Sequence, residues 1–277
     1  MSQTFSNKLD RQVAIRQGKP IELLGLTFYP IKMRDYEQFL ACKDVLLLRL
    51  NTLPAKYLTK NYVNAIWTFE MDEMKNNGAN VGLFGRLIRL LEMSLRIDID
   101  REALLTKQIK YRQSDADFEI DRIVITQDGK TAEITSKELS LKVRKLIAEQ
   151  NGLELPKESN NPEVVKAEAD FAKFKQERSG NPLKNSLTDL LASVAYQSHV
   201  SEKELDDWTV REFENRRKAI ERDKRFMLYG QAELSGMVSF KNGNPYQSWC
   251  FDSADDSHGM VSAETLGSQW GNSVSQK

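Results

Sequence analysis

The segment IVITQDGKTAEITSKELSLKVRKLIAEQNG, residues 123–152, indicates the local fold more clearly than any other part of the chain. Two runs rich in branched residues, 123–126 and 131–134, flank the dipeptide Asp128-Gly129. A two-residue hairpin turn of the favoured kind needs positive φ at both central positions, and these two residues tolerate it. The pattern therefore predicts a β-hairpin over about residues 121–134.

A helix is predicted directly after this hairpin. Thr135 and Glu138 have the spacing of a capping box, in which each side chain bonds to the backbone N–H of the other residue. Four apolar residues then recur at helical spacing: Leu139, Val143, Leu146 and Ile147. Asn151-Gly152 supplies a helix stop, because glycine adopts the left-handed conformation without strain. Since a lone hairpin is barely stable in water, we expect it to pack on this helix or on a partner.

Toward the N-terminus the sequence predicts one strand and four helices. The strand covers residues 21–29, which are rich in branched and aromatic residues and are followed by Pro30. The helices are expected over about residues 35–51, 55–77, 81–95 and 100–111. Asp35 is expected to cap the first of them, because its carboxylate can accept from free N–H groups of the first turn.

Toward the C-terminus a polar segment with Pro156 and Pro162 predicts a linker, and a sparse charged helix follows it. Three further helices are expected, beginning near residues 187, 201 and 210, and the last of them extends to about Gly236. Two more capping boxes precede these helices: Ser201 with Glu204, and Thr209 with Glu212. A short strand is expected over residues 237–240.

These elements predict a mainly α fold, with helical bundle-like regions, a small β-hairpin and short terminal strands. The expected organisation has five parts: a flexible N-terminal arm (1–20), an N-terminal helical domain with the β-hairpin (21–152), a linker and charged helix (153–182), a C-terminal helical region (183–251) and a disordered tail (252–277). The tail is rich in serine, aspartate and glycine and has few residues that could form a core.

The charge balance argues against a nucleic acid or a membrane as partner. The chain carries 40 lysines and arginines against 40 aspartates and glutamates, so no net charge attracts phosphates or anionic lipid. Residues 1–20 lack the apolar stretch of a signal peptide. The most apolar window, residues 81–97, is interrupted by charges and is too short to span a bilayer. We expect a cytoplasmic location, with Cys42 and Cys250 as free thiols.

The residues that usually carry catalysis or bind metals are scarce. Only two histidines are present: His199 is expected at a helix end, and His258 lies in the tail. The acidic clusters at 98–100, 115–117 and 255–256 lack the glycine and the spaced oxygen ligands of a calcium loop, so turns and caps are the better interpretation. Neither a phosphate loop nor a catalytic triad can be assembled. We therefore expect no catalytic, cofactor-binding or metal-binding residues, and no enzymatic activity.

One predicted helix carries a net positive charge, although the chain as a whole is neutral. Between Val210 and Gly230 there are seven basic residues against four acidic ones, a net charge of +3. Such a stripe could follow a phosphate backbone. Its charges alternate at i,i+4 spacing, however, as in Glu214 with Lys218 and Glu221 with Arg225, which favours a solvated helix face.

Several stretches resemble proteins of long-tailed phages of Gram-positive bacteria, in particular tail assembly chaperones. The similar stretches are Trp208-Thr209-Val210-Arg211-Glu212-Phe213, the later run from Gly236 to Lys241 with Gly243-Asn244-Pro245, and Leu146 to Leu153. The resemblance covers most of residues 21–251 and carries over no functional residue. It implies a non-enzymatic protein of the host cytoplasm that binds the tape measure protein before the tail tube polymerises around it.

The apolar helices of residues 35–95 supply the predicted binding face. Six residues are the candidates for contacting a helical partner: Trp67, Leu83, Phe84, Leu87, Leu90 and Leu91. The tape measure protein, the tail tube protein and a second copy of the chain are the candidate partners. The alternative for these six residues is that they close the protein's own core. Alternative functions are a structural or adaptor component of the tail or baseplate, and a small regulatory protein that binds nucleic acid.

Overall fold

The computed structural model describes residues 8–78, 82–114, 117–156, 186–236 and 238–240. The chain divides into two compact units, Met1–Arg216 and Arg217–Lys277. The predicted mainly α class is confirmed: helices dominate the described residues, and their strands form one two-stranded and one three-stranded antiparallel sheet.

The first unit opens with a helix and a small hairpin. These elements are α1 (Lys8–Arg16), β1 (Ile21–Leu23) and β2 (Leu26–Phe28). Residues 8–16, expected within a flexible arm, form α1 because Ala14 and Ile15 are buried. The stretch predicted as one strand folds back on itself, since Leu24 and Gly25 adopt positive φ values of 56° and 79°.

Four helices follow: α2 (Tyr36–Cys42), α3 (Asp44–Leu47), α4 (Tyr62–Asn77) and α5 (Leu83–Leu95). The predicted cap by Asp35 is wrong, because this residue ends a short 3-10 turn and its side chain makes no capping bond. The prediction that α4 stops at a glycine is confirmed: Gly78 adopts a φ of 63°. The first N–H groups of α4 are capped by Asn61, whose side chain accepts from the backbone N–H of Asn64 at 3.0 Å.

The predicted helix over 100–111 is only partly correct. A short helical turn, α6 (Arg101–Ala103), continues as a π-helical turn over Leu104–Gln108. The chain then becomes the strand β3 (Ile109–Ser114), which pairs with β4 (Asp117–Gln127). A strand forms here instead of the predicted helix because Ile109 lies opposite Ile123 in the sheet. A helix could not make this apolar pair across two strands.

The predicted hairpin is confirmed. β4 pairs with β5 (Lys130–Thr135), and the turn residues Asp128 and Gly129 have φ values of 50° and 77°. The helix after it begins with the predicted capping box of Thr135 and Glu138. It comprises α7 (Ser136–Glu138), a π-helical turn (Leu139–Val143) and α8 (Arg144–Gln150).

The C-terminal helices belong to the first unit up to residue 216. They are α9 (Leu187–Ser198), α10 (Glu202–Leu205) and α11 (Val210–Leu234). The N–H of Val210 donates to the carbonyl of Ile31 at 2.9 Å, and the N–H of Met33 donates to Trp208 at 2.9 Å. These bonds join the expected C-terminal region to the N-terminal domain, so the division differs from the one expected near 153–182.

Several expectations concern residues outside the described ranges. These are most of the linker and charged helix, residues 157–182, and the whole of the expected tail. Of the short strand expected over 237–240, only residues 238–240 are described, and they have no regular secondary structure.

The turn glycine gives a direct stability test. We expect Gly129→Ala to lower the free energy of unfolding by about 1 kcal/mol, because an L-residue resists the left-handed conformation. A Cβ atom at Gly129 meets no atom within 4 Å, so the cost is conformational and not steric. Urea unfolding monitored by circular dichroism measures it.

The matched control is Gly85→Ala in α5, where an added Cβ also meets nothing within 4 Å. This glycine is helical, so alanine is expected to be neutral or to stabilise by up to about 1 kcal/mol. Equal effects of the two substitutions would contradict the assigned turn.

Candidate protein-binding site

The candidate protein-binding site lies beside the part of β4 that does not pair with β5. β5 pairs with β4 only from Arg122 onward, so no strand among the described residues pairs with residues 117–121 of β4 on that side. The side-chain amide of Asn64 in α4 takes its place: its oxygen accepts from the N–H of Ile120 at 2.9 Å, and its nitrogen donates to the carbonyl of Ile120 at 3.2 Å. Asn64 is only 1% exposed. This amide therefore holds α4 against β4.

One helical turn further, Trp67 makes a second link to the same strand. Its indole N–H donates to the carbonyl of Phe118 at 3.1 Å. The ring packs edge-on against Phe84 of α5 at a centroid distance of 5.0 Å, and lies 5.8 Å from the Tyr111 ring of β3. The indole is thus held by Phe84 of α5 and by Tyr111 and Phe118 of the three-stranded sheet.

Beside these contacts lies a pocket of about 250 Å³ that is open to solvent. Its lining residues come from α4, β3 and β4: Trp67, Thr68, Met71, Asp72, Lys75, Tyr111 and Phe118. Phe118 leaves 67% of its surface exposed, and Tyr111 leaves 38%. Burial of large exposed aromatic rings supplies much of the free energy of protein association. The pocket can therefore receive an apolar side chain from another molecule.

One of the lining residues of the pocket has an unsatisfied polar atom. Thr68 is 4% exposed, and its hydroxyl oxygen is buried without a hydrogen-bond partner. A buried hydroxyl without a partner costs about 1–3 kcal/mol relative to a satisfied one. Burial raises the pKa of the Tyr111 hydroxyl, and this hydroxyl donates to the carbonyl of Leu105 at 3.4 Å. Thr68 therefore contributes to the lining a polar atom that has no partner within the protein.

Two charged residues, Asp72 and Lys75, line the pocket, and only Asp72 forms an ion pair with a described residue. Asp72 accepts from the ammonium of Lys56 at 2.5 Å and from the hydroxyl of Tyr57 at 2.7 Å. The hydrogen bond from Lys56 holds the pKa of Asp72 below its usual value. Lys75 lines the same pocket and forms no ion pair with any described residue. The rim therefore presents a positive charge to an incoming partner.

A second ion pair fixes the strand beside the pocket. Lys60 bonds to Glu119 at 2.7 Å, and the two side chains are 14% and 12% exposed. Arg112 of β3 reaches the other oxygen of Glu119 at 3.3 Å. The hydrogen bond from Lys60 lowers the pKa of Glu119, because it favours the charged carboxylate.

The six residues predicted as a binding face lie mainly in the core. Five of them are at most 9% exposed: Trp67, Phe84, Leu87, Leu90 and Leu91. Leu83, at the start of α5, is half-buried. Their burial supports the alternative that they close the protein's own core, since α5 packs against α2, α3 and α4. Only Trp67 lines the pocket.

The other candidates from the sequence have structural roles in the described residues. His199 occupies the left-handed C-cap of α9, and its N–H bonds to the end of that helix. The Asp100 carboxylate accepts from the N–H groups of Glu102 and Ala103, as expected of a cap. Cys42 is buried and forms no disulfide bond with a described residue. No metal-binding group of three or more suitable side chains occurs among the described residues.

The basic helix α11 has part of the pairing that the sequence predicts. In the second unit Glu221 pairs with Arg225, as expected, and also with Arg217 at 3.4 Å. In the first unit Glu214 accepts from the hydroxyl of Tyr36 at 2.7 Å.

Tyr111 and Phe118, the two exposed walls of the pocket, are not among the residues predicted from the sequence. Phe118 stands between Asp117 and Glu119, and an aromatic ring among carboxylates is a poor core residue. Tyr111 belongs to a stretch that was predicted as helical. The alternation of Ile109, Tyr111 and Gln113 with charged residues was the available sign of a strand.

Comparison of the chain with known protein families, characterised proteins and solved structures finds no match. Within the described ranges, no helix has the length and apolar character needed to cross a bilayer.

Asn64 is the first residue to test. We expect Asn64→Leu, which keeps a similar volume, to lower the free energy of unfolding by about 3 kcal/mol, because two buried backbone groups of Ile120 lose their partner. Urea denaturation provides the measurement. Asn77→Leu, at the exposed end of the same helix, is the control and should change stability by less than about 0.5 kcal/mol. Equal losses would contradict a bridging role for Asn64.

The Lys60–Glu119 pair predicts a pH dependence. The folded pKa of Glu119 is lowered from 4.5, so its stabilising contribution is present above that value and is lost as the pH falls through the folded pKa. At pH 7 we expect Glu119→Gln to cost about 1–2 kcal/mol. The gap between the two proteins should narrow on acidification below about pH 4.5. Unfolding curves whose separation stays constant from pH 7 to pH 3 would refute this role.

Proposed function

We propose that this protein is a non-enzymatic assembly chaperone of a long phage tail, which binds the tape measure protein in the host cytoplasm during tail morphogenesis. The proposal is supported by the resemblance of the stretches around Trp208, Gly236 and Leu146 to such proteins. The observation that carries its binding role is the pocket of Trp67, Tyr111 and Phe118, whose walls are aromatic and partly exposed.

The geometry suits an amphipathic helix as the bound segment. Such helices present apolar side chains at i, i+3, i+4 and i+7, and a groove receives them one after another. A pocket of about 250 Å³ holds a single large side chain, and Phe118 and Met74 offer further exposed apolar surface, 67% and 45% of their areas. The cation of Lys75 at the rim favours a segment with an acidic residue near its apolar anchor.

Rigid support adds to the affinity that such a pocket can reach. Association costs free energy for every side chain that becomes ordered. Trp67 is held by Phe84 and by the carbonyl of Phe118 before any partner arrives, so this ring loses little freedom on binding. The tail tube protein and a second copy of the chain are further partners in this proposal, and nucleic acid and membrane are not.

Co-expression with the tape measure protein is the test. The wild-type chain should co-purify with it, and Phe118→Ser should reduce the recovered complex at least tenfold, by an anchor effect of about 2 kcal/mol. The serine variant keeps the backbone carbonyl that bonds to Trp67. Circular dichroism should therefore report an unchanged fold.

Tyr196→Ser is the matched control, because Tyr196 is 77% exposed on α9 and lies outside the pocket. A wild-type chain that fails to co-purify would refute the proposed partner. Equal losses with Phe118→Ser and Tyr196→Ser would refute the pocket as its site. Finding the protein in purified virions would instead support the alternative of a tail or baseplate adaptor.

A further inference from the structure

A second cavity, separate from the aromatic pocket, lies between α1, α8 and the first turn of α11. Its volume is about 660 Å³, within the range typical of ligand-binding clefts. The lining consists of Leu9, Arg11, Gln12, Val13, Ile15, Arg16, Lys145, Glu149 and Arg211. All of these belong to the first unit. We call this cavity the basic cleft.

The basic cleft has a large excess of positive charge. Four of its lining side chains are cations (Arg11, Arg16, Lys145 and Arg211), against the single carboxylate of Glu149. That carboxylate is shared between Arg11 at 2.9 Å and Lys145 at 3.8 Å. Arg16 forms no ion pair with any described residue and is exposed. In a chain of zero net charge, this local excess attracts an anionic partner.

Two guanidinium groups of the cleft also have unused donors. The Nε atoms of Arg11 and Arg211 are buried and have no hydrogen-bond acceptor. Each of these arginines is held through a different nitrogen: Arg11 Nη2 by Glu149, and Arg211 Nη1 by the backbone carbonyl of Glu149 at 2.7 Å. A carboxylate accepts two parallel N–H bonds from one guanidinium. Carboxylates of a bound ligand would supply the acceptors that these two donors lack within the protein.

The uncharged lining residues of the basic cleft indicate which class of ligand it can bind. Leu9 is 63% exposed, and Val13 is partly exposed beside it on α1. No aromatic ring lines the basic cleft, whereas single-stranded nucleic acid is usually held by stacking of its bases on such rings. A small inorganic anion would leave the exposed leucine uncovered. The lining matches a ligand that carries both carboxylates and aliphatic groups.

We propose that the basic cleft binds an acidic peptide segment of a partner protein, in which glutamates or aspartates alternate with aliphatic residues. The carboxylates lie against Arg16, Lys145 and Arg211, and an aliphatic side chain covers Leu9. This site is independent of the proposed tape measure pocket, because it shares none of its lining residues. The protein thus has two docking sites of different chemistry on its first unit.

Fluorescence anisotropy of the full chain with a labelled synthetic peptide of alternating glutamate and leucine tests the proposal. Binding should weaken with salt. We expect the double variant Arg16→Gln/Lys145→Gln to weaken it about tenfold, by loss of two partly solvated charge contacts. A peptide with glutamine in place of glutamate should bind at least tenfold more weakly.

Two control variants separate this site from other surfaces. Lys137→Gln removes an exposed cation of α7 outside the cleft, and Phe118→Ser removes the wall of the aromatic pocket. Both should leave the affinity for the acidic peptide unchanged. Equal affinity for the glutamine peptide, or no effect of the double variant, would overturn the proposal. Stronger binding of a single-stranded DNA oligonucleotide at the same residues would also overturn it, in favour of a phosphate ligand.

Discussion

The pairing of the Asn64 side chain with both backbone groups of Ile120 is the interaction on which the site depends. β4 extends five residues beyond the part that pairs with β5, and an uncovered strand edge inside a protein would leave buried donors and acceptors unsatisfied. An amide has the same donor and acceptor as a peptide group, so Asn64 replaces the missing strand residue. This fixes the distance and the rotation of α4 relative to β4, and Trp67, three residues later, therefore meets the carbonyl of Phe118.

Buried polar side chains bridge to backbone groups at two further places in the first unit. The Gln127 amide bonds to the N–H and the carbonyl of Thr27 at 2.7 and 2.9 Å, and extends the two-stranded sheet. Arg144 is 7% exposed and donates to the carbonyls of Leu46 and Leu48, while its guanidinium lies 3.5 Å from the centre of the Tyr62 ring. Removing such a group leaves buried carbonyls without donors. These polar side chains therefore specify how the helices dock, since apolar contacts alone would tolerate several arrangements.

The parts of the fold that sequence could predict are those determined by near neighbours. The turn at Asp128-Gly129, the capping boxes and the stop at Gly78 involve residues within four positions of one another, and all were predicted correctly. The bridging amides could not be predicted in this way: Asn64 meets a partner 56 positions away, and Gln127 meets one 100 positions away. The strand β3 has a local sign in the alternation of its residues, but the helical prediction there was wrong because pairing with β4 overrides a weak local preference.

The candidate site shows why apolar composition does not identify a binding surface. The leucines of α5 belong to the most apolar window of the sequence, yet they are buried because α2, α3 and α4 cover them. Phe118 is surrounded in sequence by carboxylates, yet it is exposed because β5 ends before it could cover this part of β4. The buried residues still contribute to the site, since Phe84 holds Trp67 from behind. A docking surface of this kind therefore has two layers: a core that sequence periodicity reveals, and a few exposed rings whose position depends on where the neighbouring strand stops.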